Sequence, residues 1–74
     1  MFETVRMPVT VLLVVGDRVE FTTPDRDHRD PMAEPLAKVL PLVEHLGLNA
    51  RTLPGVRLVA SIDRQGDLVG LDRP

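Results

Sequence analysis

Apolar side chains run unbroken from Val11 to Val15, with Val9 two residues ahead, and this β-branched and aliphatic stretch predicts a central strand over 9–15. It is too short to span a bilayer. Upstream, Val5 and Met7 alternate with Thr4 and Arg6, a half-buried strand pattern over 2–7 that Pro8 interrupts, and it predicts either a short edge strand or the bent start of the central one. Gly16-Asp17 then forms a two-residue loop with glycine first, suited to a type II′ hairpin turn, and the return strand covers 18–23.

An uninterrupted ladder from that turn pairs Val15 with Arg18, Val14 with Val19, Leu13 with Glu20, Leu12 with Phe21 and Val11 with Thr22. One face would then hold Leu12, Val14, Val19 and Phe21 as core. The other would hold Val9, Val11, Leu13 and Val15 opposite Arg18, Glu20 and Thr22.

A polar, proline-bounded loop occupies 24–31, and a helical pattern over 33–47 follows it. Leu36, Val39, Leu40, Val43 and Leu46 recur at spacings of three and four, while Lys38, Pro41 and His45 fall on the opposite side. Pro35 suits the first turn, where its missing N–H costs nothing. Pro41 lies inside the helix and predicts a kink or a break into two short turns. Gly47 fits a left-handed cap, with Leu48 folding back on the last turn.

Residues 49–53 read as a loop or short strand, and Pro54-Gly55 as a turn. A second hairpin has strands over 56–62 and 67–71, joined by Asp63-Arg64-Gln65-Gly66 as a type I turn with Gly66 in the left-handed position. A regular ladder pairs Ile62 with Leu68 and Ala60 with Gly70 on one face, and Ser61 with Val69 and Val59 with Leu71 on the other.

The expected fold is therefore α+β: a small single ββαββ domain over 1–74, an antiparallel sheet of four or five strands with one kinked helix on one face. Both sheet faces carry apolar residues, and one helix covers only one of them. The uncovered face, with Val9, Val11, Leu13, Val15, Val59, Val69 and Leu71, predicts an interface, and a second copy in a two-fold homodimer is its simplest cover. Arg18, Glu20, Arg26 and Arg29 at the rim are the expected partner-recognition residues.

The stretch 36–71, through Leu53-Pro54-Gly55-Val56-Arg57 and Asp63-Arg64-Gln65-Gly66, is loosely similar to the helix, turn and hairpin that open roadblock-type domains. That resemblance would imply a dimeric scaffold binding a small GTPase, with no catalytic residue. It covers about half of the chain, and the fold assignment does not rest on it.

Composition narrows the chemistry. The 74 residues contain no cysteine, which removes disulfides and thiolate zinc sites as supports for so small a core. The formal charge of −2, with arginine supplying all the basic residues except Lys38, gives no long-range pull toward polyanions. That arginine, valine and proline bias suggests a GC-rich bacterial or phage source. Phe2 and Phe21 are the only aromatics, too few for the stacking platforms of single-stranded nucleic-acid sites. The N-terminus has Glu3 where a secretory leader would be basic, so a cytoplasmic location is expected.

The loop Asp25-Arg26-Asp27-His28-Arg29-Asp30 is the one cluster of metal-ligand residue types, but Asp30 and Leu36 stand where a calcium loop needs glycine and glutamate. Its interleaved arginines, Arg26 and Arg29, would neutralise the acids without an ion. His45 reads as an exposed residue near the helix end. Ser61 lies mid-strand, outside any nucleophile elbow, and no phosphate-binding glycine pattern occurs.

No catalytic, cofactor or metal residue is assigned. The expected function is a non-enzymatic protein-interaction or regulatory module, an inhibitor, adaptor or accessory protein, that self-associates through its sheet and binds another protein, not a membrane. Two alternatives make different demands on the fold. A nucleic-acid regulator needs Arg6, Arg18, Arg51, Arg57 and Arg64 on one face, and a metal-dependent hydrolase needs Asp25, Asp27 and His28 around one ion.

Overall fold

The computed structural model describes residues 4–24 and 32–74. The chain forms β1 (Val5–Val15), β2 (Arg18–Thr22), β3 (Met32–Pro35), α1 (Leu36–Val43), a 3₁₀ turn (Glu44–Leu46), β4 (Arg57–Ile62) and β5 (Leu68–Asp72). Five strands make one antiparallel sheet in the order β3-β2-β1-β4-β5, with α1 on one side. This is the expected small α+β fold.

β1 is one long strand, so of the two expected readings the segment before Pro8 is the start of the central strand and not a separate edge strand, and the hydrogen-bond geometry around Pro8 explains why the proline does not break it. Val11 donates its N–H to Val56 (2.9 Å) and accepts from Gly55 (2.8 Å), so its polar groups face the β4 side. By the alternation of a strand, the missing N–H of Pro8 would point the other way, past the end of β2 at Thr22. No ladder bond is lost there.

The Gly16-Asp17 turn forms as expected, with positive φ at Gly16 (58°) and not at Asp17, the type II′ signature. Its first three pairs also hold: Val15 with Arg18, Val14 with Val19, and Leu13 with Glu20. Then the ladder slips. Val11 lies opposite Phe21 and Thr10 opposite Thr22, leaving Leu12 as an extra residue in β1. The second hairpin repeats the device: Ile62 pairs with Leu68, but Ser61 pairs with Gly70, Ala60 with Leu71 and Val59 with Asp72, so Val69 is the extra residue.

The two slips correct the expected interface. Val9, Val11 and Leu71 point into the core and are almost fully buried, because each bulge reverses the alternation beyond it. With them pack Val19, Phe21, Leu58, Ala60 and Leu68 from the sheet, Val39 and Val43 from α1, and Leu53 from the loop before β4. Leu12, expected in the core, is half-buried at its bulge.

β3 was not expected, since 33–35 read as helix. Pairing with β2 takes these residues instead, Glu34 opposite Val19 and Met32 opposite Phe21. Pro35 is then the extended residue that caps α1, whose first donor, the Leu36 N–H, bonds the Asp17 carbonyl of the β1–β2 turn at 2.6 Å. That contact fixes the helix start against the hairpin. At the other end, the α-helix passes into a 3₁₀ turn two residues after Pro41, and Gly47 closes it with φ 74°. Leu48 folds back, its N–H reaching the Val43 carbonyl.

Candidate interaction surface

Strand alternation places Arg18 and Glu20 of β2 on the side away from α1, because Val19 and Phe21 between and beyond them are buried. Leu13 and Val15 of β1 lie opposite them, and Ala33 and Pro35 of β3 flank them on the far side. The result is a grid of two rows. Pro35, Arg18 and Val15 form one, and Ala33, Glu20 and Leu13 form the other.

Leu13 is 38% exposed and Val15 51%, values that distinguish them from the closed core beneath. Arg18, Ala33 and Pro35 are exposed and Glu20 is half-buried. The four apolar side chains border a pair of opposite charges. Arg18 and Glu20, expected at the rim of a contact surface, occupy the middle column of this grid.

Of the other residues expected at the interface, Val59 is half-buried on the same outer side and Val69 is 47% exposed at the β5 bulge. Both are on the β4–β5 half of the sheet, away from the grid. Val9, Val11 and Leu71 belong to the core, as above. Arg26 and Arg29, and the acidic loop with Asp25, Asp27 and His28, lie outside the described residues. Ala33 and Pro35 escaped the sequence reading because the helical pattern absorbed them. The one local clue was the alternation of Met32 and Glu34 with Ala33 and Pro35.

The sheet edges are poorly suited to strand addition. β3 is four residues long and ends in Pro35, while β5 is bulged at Val69 and carries Asp72 at its end.

Among the arginines, Arg6, Arg18 and Arg57 alternate to the outer face, whereas Arg51 and Arg64 occupy loops at opposite ends of β4. The five do not form one patch. A concavity of about 490 Å³ lies where β2 ends, with Thr22, Thr10 and Arg57 side by side across three strands. Ser61 is half-buried opposite Gly70, where the expected ladder had Ala60. His45 bonds Asp72 through Nε2 at 3.0 Å, and Arg73 Nη2 donates to the Leu46 carbonyl at 3.0 Å, so the chain end is clasped to the 3₁₀ turn.

Among the described residues no helix is long and apolar enough to cross a membrane, and no three His, Cys, Asp or Glu side chains gather as a metal site would require. No protein-family model, curated protein or solved structure matches the chain, so the likeness of 36–71 to roadblock-type domains stays one of local order, a helix, a turn and a hairpin.

Proposed function

We propose that the protein is a non-enzymatic protein-interaction module, of the inhibitor, adaptor or accessory kind, whose working surface is the outer face of the β3-β2-β1 half of its sheet. The observation that carries this reading is the pair of exposed aliphatic side chains Leu13 and Val15, set beside Ala33 and Pro35 on a face that α1 does not cover. Apolar area supplies affinity there, and Arg18 and Glu20 discriminate between partners by charge.

The test is capture of a binding partner from extracts of the native host with the wild-type protein and with Leu13→Glu as baits. Leu13→Glu should lose the captured protein while keeping the wild-type circular dichroism spectrum and melting behaviour. A partner retained equally by both baits would remove this face from the function.

Arg6, Arg18 and Arg57 on the same outer side favour nucleic-acid binding as the competing reading. That reading requires retention on duplex DNA or RNA that weakens steeply with salt and with Arg57→Ala.

A further inference from the structure

The grid on the outer face is complementary to itself under one particular rotation. A two-fold axis lying in the plane of the face, crossing β1 and β2 at right angles at the level of Val14 and Val19, exchanges the two rows between copies. Arg18 of one copy then stands over Glu20 of the other, Val15 over Leu13, and Pro35 over Ala33, each contact made twice. An axis running along β2 would instead stack Arg18 on Arg18 and Glu20 on Glu20. The order of charges along β2 thus selects antiparallel stacking, and face-to-face sheets pack with their strands within about 30° of alignment, which this rotation satisfies.

We propose that the occupant of this face is a second copy of the chain, docked sheet on sheet about that axis, with two Arg18–Glu20 ion pairs flanked by Leu13–Val15 and Ala33–Pro35 contacts. The inference rests on the reading of the outer face as the working surface and adds its partner. Charge complementarity is its main support, because the partner's requirements are met residue by residue by the same six positions. The blunted sheet edges favour the same geometry over pairing of β3 or β5 with its counterpart. Six residues on each side make a small contact, below the roughly 800 Å² per partner of a stable complex, so a weak, concentration-dependent dimer is expected and not an obligate one.

The experiment is sedimentation equilibrium of the wild-type chain from about 10 μM to about 1 mM, a range that brackets weak association. It is repeated on Arg18→Glu, on Glu20→Arg and on the double variant Arg18→Glu/Glu20→Arg, with circular dichroism melts of each. Each single change places like charges together twice and should weaken association roughly tenfold or more. The double swap restores opposite charges and should restore the dimer. A wild-type protein that is monomeric throughout overturns the proposal. So does a dimer that neither single change weakens, or whose loss the double swap fails to repair in a folded protein. A monomeric wild type that still captures a host protein in a Leu13-dependent way would end the second-copy inference and leave the interaction-module reading standing. A charge-dependent dimer with no such capture would support the inference and show that the face serves self-assembly.

Discussion

Val11 lies opposite Phe21, one residue out of step with the Arg18–Val15 end of the same hairpin, because Leu12 is an extra residue in β1. The offset decides which side of the sheet is hydrophobic. Without it Val9 and Val11 would face outward, and with it they join Phe21 under α1. The bulge at Val69 does the same for Leu71 in the second hairpin. Both also bend their strands and add twist, which suits a sheet curled toward a helix of only eight residues.

If the bulges set the faces, truncation costs should follow the observed register. Phe21→Ala and Leu71→Ala each remove a fully buried side chain and should cost roughly 2–5 kcal/mol, a large part of the stability of a domain this size. Leu13→Ala and Val69→Ala should cost less than about 1 kcal/mol in the monomer. Urea denaturation at low micromolar concentration measures all four, and a Leu71→Ala as cheap as Val69→Ala would mean that the regular ladder, which puts both on the outer face, is the true one.

Gly47 caps the helix at φ 74°, and a Cβ built there would meet nothing within 4 Å. The penalty for Gly47→Ala is then conformational alone, about 1–2 kcal/mol, read as a lower midpoint of thermal unfolding. Gly70→Ala is the contrast, because Gly70 has ordinary strand φ and its Cβ would make normal contact with Ser61 at 3.5 Å.

Pro41 is exposed inside α1 and deletes a helical hydrogen bond. Pro41→Ala should stabilise the protein by about 1–2 kcal/mol, the helix gain of up to about 3 kcal/mol being reduced by the freer unfolded chain. Calorimetry gives the sign directly. A destabilised variant would mean that the passage into the 3₁₀ turn after Pro41 is needed to seat Val43 and Leu46.

The His45–Asp72 pair is about half exposed on both sides. His45→Ala should change stability by less than about 1 kcal/mol, and by less still in high salt. Asp63, whose Oδ1 accepts the N–H groups of Gln65 and Asp67 at 2.9 Å each, orders the turn before β5. Asp63→Ala should therefore cost more than His45→Ala, about 1–2 kcal/mol, in the same denaturation assay.

Local chemistry alone determined the two hairpin turns, the helical stripe with Val39 and Val43 at its centre, the left-handed cap at Gly47 and the α+β class. Each depends on residues within a few positions of one another, where backbone preference and periodicity act directly. The packed structure decided what periodicity leaves open: where Leu12 and Val69 drop out of their ladders, whether Pro8 interrupts a strand, and that 32–35 pair with β2 before α1 begins. A strand's alternation has the same period on either side of a bulge, so the chain does not announce the slip. Only the fit of Val9, Val11 and Leu71 beneath one short helix selects it.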